Sequence, residues 1–202
     1  MSTLIRRSSR KEYKDLAFEL LPDQGNWSEE KYLALTDHTT RLVEFTDGYL
    51  EPLPMPTTKH QRILAFLYRM FFQWLDARGG LIVFAPLRLR IRAGKFREPD
   101  LLALCNAADP RCQDRFWTGA DFALEVVSAD KPKRDLVDKR LDYAEGRVPE
   151  YWIVNPQDET ITVLRLSGKR YKLHGSFRRG QIATAATLAG FSMRVDDVFD
   201  AK

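Results

Sequence analysis

The sequence predicts an α/β (α+β) domain, a mixed central β-sheet flanked by helices with a β-hairpin towards its N-terminal side. Three observations lead there. The apolar runs 122–127 (F-A-L-E-V-V) and 151–154 have strand length and enclose a helical stretch, 132–146. That order is a strand–helix–strand crossover, which favours a mixed sheet. Ile63, Leu64, Leu67, Phe71, Trp74 and Leu75 recur at helical spacing. Segments 41–45 and 49–53 flank Thr46-Asp47-Gly48, a hairpin signal.

The elements follow in order. Ser28 caps a short helix over 29–35. After the hairpin, Pro54 and Pro56 break the pattern, and Thr57 or Thr58 caps a long helix that stops at Gly79-Gly80. Residues 81–91 and 101–104 read as strands, 106–119 as a loop containing Pro110, and 160–166 as a further strand. One or two strands and a short turn near Val198-Phe199 complete the chain. No repeat or low-complexity segment is present.

Bulk properties narrow the class. With 202 residues, 44% hydrophobic and 30% charged, the chain fits one domain over 16–202. Residues 1–15, MSTLIRRSSRKEYKD, lack the apolar segment of a signal peptide and predict a disordered basic tail. The net charge of +4 permits a polyanionic partner without requiring one. Cys105 and Cys112 lie seven apart, which is neither a zinc spacing nor a disulfide framework, so a reduced, cytoplasmic setting is expected. The apolar stretch 63–75 contains Arg69 and Gln73 and is too short to cross a bilayer, so no membrane partner is expected.

Three charged residues stand where packing alone would not put them. Asp100 heads the apolar run Leu101–Leu104, Glu125 interrupts F-A-L-E-V-V, and Lys139 lies in the following helix. On a helical wheel Asp135, Lys139, Asp142 and Tyr143 gather at the edge of an apolar stripe formed by Leu136, Val137, Leu141 and Ala144. Singly, each charge has a structural reading: a turn residue after Pro99, a solvent-facing strand position, a surface pair with Asp135. Jointly they suggest a hard-cation site. Mg²⁺ or Mn²⁺ takes oxygen ligands and keeps several waters, so two carboxylates on adjacent strands suffice, with the main-chain carbonyl of Val126 as a further oxygen. An ammonium beside them would orient or deprotonate a water, or stabilise charge on a phosphate, which suits phosphodiester hydrolysis.

Several segments in order carry a resemblance: R-L-V-E-F-T-D-G-Y-L (41–50), H-Q-R-I (60–63), E-P-D-L-L (98–102), F-A-L-E-V-V-S (122–128), R-D-L-V-D-K-R-L-D-Y (134–143) and G-R-V-P-E-Y-W-I-V-N-P (146–156). Together they resemble the PD-(D/E)XK nuclease superfamily, and within it the Uma-two family of restriction-endonuclease-like proteins, over most of residues 27–200. The resemblance implies a restriction-endonuclease-like core and an endonuclease that hydrolyses DNA with a divalent metal, Mg²⁺ or Mn²⁺. It implies Asp100 and Glu125 as metal carboxylates. It departs from the parent motif at Val127, which stands where lysine is usual; Lys139 matches the displaced basic position, with Arg140 its rival. Glu44 and His60 match two further catalytic positions. Tyr143 and Tyr151 read as packing residues with a polar tip at the site.

The run P-L-R-L-R-I-R-A-G-K-F-R, residues 86–97, is the clearest candidate nucleic-acid contact. As a strand it presents Arg88, Arg90 and Arg92 on one face, and Lys95 and Arg97 extend the charge towards Asp100. No sequence-reading motif is present. Two other functions fit: a degenerate nuclease fold that binds nucleic acid or a protein partner without turnover, for which Val127 is the sign, and a metal-dependent nuclease acting on RNA or branched substrates. A homodimer would suit double-strand cutting.

Overall fold

The computed structural model describes residues 23–39, 41–128 and 134–202; the basic tail expected over 1–15 lies outside them. The first element among the described residues is α1 (Glu29–Thr36), capped by Ser28, whose hydroxyl accepts the Lys31 amide. β1 (Val43–Thr46) and β2 (Tyr49–Pro52) form the expected hairpin. Its turn residues Asp47 and Gly48 both take positive φ, 46° and 91°, the geometry that matches strand twist. Gly48 has a second reason: a Cβ there would stand 2.4 Å from the Gly25 carbonyl oxygen.

α2 (Thr58–Asp76) is capped by Thr57, which accepts the His60 amide at 3.2 Å. It buries the stripe Ile63, Leu64, Leu67, Phe71 and Leu75; Trp74 is partly buried against the same core.

The single strand expected over 81–91 is two strands in different sheets. β3 (Leu81–Phe84) stops before Pro86, and β4 (Leu89–Arg92) begins three residues after it. Proline has no N–H for a ladder, so the run cannot continue. β4 turns into β5 (Lys95–Arg97), and β5, β4, β1 and β2 make a four-stranded sheet in the order β2-β1-β5-β4. The chain then returns to β6 (Leu101–Leu104), paired with β3 from Phe84↔Leu101 onward. Segment 85–100 is therefore an excursion from one hairpin, closed by the Ala85 amide donating to the Asp100 carbonyl at 3.3 Å.

β7 (Phe122–Val126), β8 (Glu150–Asn155), β9 (Thr160–Ser167) and β10 (Arg170–Arg178) extend the second sheet to six strands, in the order β10-β9-β8-β7-β6-β3. β7 and β8 are its parallel pair, so the crossover holds and the sheet is mixed. A π-helical turn, Arg134–Asp138, leads into α3 (Lys139–Glu145) within that crossover. β11 (Ile182–Thr184), β12 (Ser192–Arg194) and α4 (Val195–Phe199) end the fold.

β7 and β8 are covered on both faces, and their near-continuous apolar runs reflect it. On one face Phe122, Leu124, Trp152 and Val163 pack against α2 and Phe191. On the other, Leu102, Ala123 and Ile153 meet Trp117, Tyr143 and Tyr151. A third cluster, Tyr32, Phe45, Leu50 and Phe96, fastens α1 to the smaller sheet.

The crossover helix corrects the wheel. Leu136, Val137 and Leu141 are 38%, 45% and 67% exposed, whereas Lys139, Asp142 and Tyr143 are buried. Of the stripe only Ala144 is buried; the other three face outward because the polar edge is bound to partners inside the fold. The pair expected between Lys139 and Asp135 involves a side chain outside those described.

Candidate active site

β6 and β7 bring the two carboxylates together. Leu101 pairs with Leu124, so the antiparallel register sets Asp100 directly opposite Glu125 one step beyond. Such neighbours share a face, with Cβ atoms about 5 Å apart. Asp100 Oδ2 accepts the Val126 amide at 2.8 Å and stands 3.1 Å from His60 Nε2. The first turn of α2, fixed by its Thr57 cap, therefore delivers His60 to the site.

Glu125 is 3% exposed, so the solvent-facing alternative does not apply. Its Oε1 lies 2.7 Å from Lys139 Nζ and accepts the Tyr143 hydroxyl. Lys139 and Tyr143 are one helical turn apart, so one face of α3 reaches one carboxylate oxygen. Burial, followed by the Glu125 charge, pushes the Tyr143 phenol well above its ordinary value and keeps it a donor. Arg140, the rival cation, is exposed, and its guanidinium donates to the Tyr171 carbonyl instead.

Glu44 stands behind this pair. It is 1% exposed, bonded to Arg134, 3.4 Å from Arg97 Nε and 3.9 Å from Lys139 Nζ, and it accepts the Glu98 amide at 3.2 Å. Burial opposes its ionisation, but Lys139, Arg134 and Arg97 prevail and hold its carboxyl below the ordinary range. Arg134 also reaches Glu51 at 2.7 Å, tying the crossover to the hairpin.

Glu98 was not among the expected residues. Its carboxylate accepts the Val43 amide at 2.9 Å while its own amide serves Glu44. Burial and the neighbouring Glu44 charge push it up to about 8. No local pattern marked it: residues 98–100 lie between β5 and β6, and its environment comes from β1. Arg134 was quoted in the resemblance without a role.

Glu98, Asp100, Glu125, Val126, Lys139 and His60 all line one cleft of about 680 Å³ between the two sheets and the start of α2. The cations of 86–97 lie differently. Arg88 pairs with Asp37, Arg90 with Glu29, Arg92 with Asp47 and Glu145, Lys95 with Asp142 and Glu145, and Arg97 with Asp142 and Glu44. Each neutralises an acid of the fold, and the alternation that suggested a bare cationic face records paired charges instead.

Among the described residues, no three His, Cys, Asp or Glu side chains gather as a metal-binding group. The donor chemistry nevertheless fits a hard ion. A residue's N–H and C=O leave a strand from the same edge, so the Val126 carbonyl departs on the side where its amide meets Asp100. Two carboxylates, one carbonyl and retained waters are the set such an ion uses.

A mixed sheet flanked by helices, with a parallel pair joined by a helical crossover, is the restriction-endonuclease-like architecture. The chain belongs to the Uma2 family, whose model, described as "Putative restriction endonuclease", matches residues 29–196. Among solved structures it is similar to "a putative nuclease belonging to DUF820" from Anabaena variabilis, with a TM-score of 0.72 and 18% identity over 86% of this chain and 97% of that one. None of the curated proteins matches it. Among the described residues no helix is long and apolar enough to cross a membrane.

Proposed function

We propose that this protein is a divalent-metal-dependent endonuclease that hydrolyses phosphodiester bonds in DNA. The observation that carries the reading is the meeting of Asp100, Glu125 and Lys139, from three separate elements, at one cleft. Family membership and the fold support nucleic acid as the substrate class. Asp100, Glu125 and the Val126 carbonyl would hold Mg²⁺ or Mn²⁺, which supplies Lewis-acid polarisation of a phosphoryl oxygen and an acidified water.

The protein's own groups do the rest. The Lys139 ammonium lies against Glu125 and offers positive charge where a phosphate gains negative charge. Tyr143 fixes the same carboxylate from the core side, leaving little freedom in its orientation. His60 is hydrogen-bonded to Asp100 and would hold a proton at Nε2 beside the leaving oxygen. Glu44 keeps Lys139 and Arg134 in place as a buried counter-charge.

Plasmid nicking with and without Mg²⁺ or Mn²⁺, with Glu125→Ala as control, tests the reading. Metal-dependent cleavage that falls by at least about 100-fold in Glu125→Ala is expected. A purified protein that binds no divalent ion and is unaffected by Glu125→Ala would sink it. Metal and DNA binding without turnover would favour the degenerate module, for which Val127 speaks.

A further inference from the structure

Residues 160–195 contain seven Lys and Arg and not one Asp or Glu. Arg179 and Arg194 bond to acids just outside that run, Glu159, Asp196, Asp197 and Asp200. Arg165, Lys169, Arg170 and Lys172 are exposed and make no ion pair among the described residues. This is the reverse of β4 and β5, where every cation is matched.

The register concentrates these four. Lys172 faces Arg165 and Arg170 faces Ser167, so Arg165, Arg170 and Lys172 share one face of the β9–β10 ribbon, with Lys169 in its turn. Like charges directly opposite destabilise a sheet, and a bound anion relieves that cost. Glu150 faces Arg165 from β8, but its oxygens are taken by Trp152 Nε1, the amides of Ala186 and Thr187 and the Thr187 hydroxyl. Arg147 joins the same end by donating to the Gly168 carbonyl at 2.9 Å.

The patch is apart from the cleft. β8 runs into the cleft at Pro156 and β9 runs back, so Arg165 stands about 13 Å along the strands from the level of Val126 and β10 about 14 Å across, and the three side chains lie on the face of Glu150 and Trp152, opposite to that of Glu125. We infer that the β9–β10 ribbon is a second docking surface for the phosphate backbone of duplex DNA, outside the cleft. This rests on nucleic acid being the substrate of the cleft.

The test is binding of a labelled 30-base-pair duplex by the full chain, without divalent ion, across a salt series. In the triple variant Arg165→Gln, Arg170→Gln, Lys172→Gln, the slope of log affinity against log salt should fall by about 2.7, three contacts at about 0.9 each, with roughly 100-fold weaker binding near 0.1 M salt. Arg165→Lys with Arg170→Lys should retain binding, because charge rather than shape carries it. Unchanged affinity and slope in the triple variant overturn the inference. So does self-association of that variant with DNA binding intact, which would make the cations guards of an edge strand. An acidic peptide of equal charge that binds as tightly, with the same loss in the variant, also overturns it. Plasmid cleavage reads the cleft separately: ribbon-dependent binding without cleavage condemns only the cleft reading, and cleavage with an unchanged salt slope condemns only the ribbon.

Discussion

At the residue scale, two buried glutamates carry opposite pH signatures. Glu44 is held below its ordinary value, so its contribution is present above the unfolded carboxyl range and is lost as pH falls through the folded value. Glu98 is pushed up to about 8 from 4.5. The folded protein therefore keeps a proton that the unfolded chain releases, and stability falls as pH rises across that window. Glu98→Gln preserves an acceptor for the Val43 amide and cannot ionise. It should flatten the stability profile between about pH 4.5 and 8 and leave the protein more stable than its parent at the upper end. Denaturant melts at several pH values measure this; an unchanged slope would mean that Glu98 ionises normally. Reading the sequence found Asp100 and Glu125 because each interrupts an apolar pattern. It missed Glu98, which stands outside any apolar run and gains its environment from β1, 54 residues earlier.

At the element scale, α3 shows where pattern reading stops working. The exposed Leu136 and Val137 of the turn before it and Leu141 within it belong to a stripe that an amphipathic helix normally buries, and of that stripe only Ala144 is covered. Here Lys139 and Tyr143 bind Glu125, while Asp142 binds Lys95 and Arg97, and those six side chains set the rotation of the helix. No wheel contains that information, because the partners lie on other elements. Leu141→Gln should change stability by no more than about 0.5 kcal/mol. Tyr143→Phe, one atom smaller, should cost about 1–3 kcal/mol by leaving a buried carboxylate oxygen short of a donor. Thermal or urea melts compare the two, and the reverse order would contradict the rotation seen here. α2, by contrast, was legible in full: its cap, its stripe and its glycine stop are all local signals. The break at Pro86 was not read, because the spacing of apolar residues on either side hid it.

At the scale of the whole molecule, the six-stranded sheet holds Asp100 and Glu125 while the smaller sheet supplies Glu44, and the cleft opens where they meet. Phe71 is the hub of the larger core, with ring centroids 4.5 Å from Phe122, 5.3 Å from Trp152 and 4.2 Å from Phe191. Phe71→Ala should cost about 3–5 kcal/mol and lower the melting temperature by roughly 10 °C, read by calorimetry. A small change would show that the sheet does not depend on α2. The fold class was readable because strand–helix–strand order is a chain-level pattern; the partition into two sheets was not, since it depends on which strands pair at a distance. The excursion 85–100 has a consequence for lineages as well as for single molecules. Its two ends are pinned by the β3–β6 pairing, and closing a longer loop costs little more than closing a short one. Descendants of this gene can therefore gain or lose residues at the β4–β5 turn or just after Pro86, but not within β4 and β5, whose Leu89, Ile91 and Phe96 are buried and whose Arg97, with the adjacent Glu98, holds Glu44.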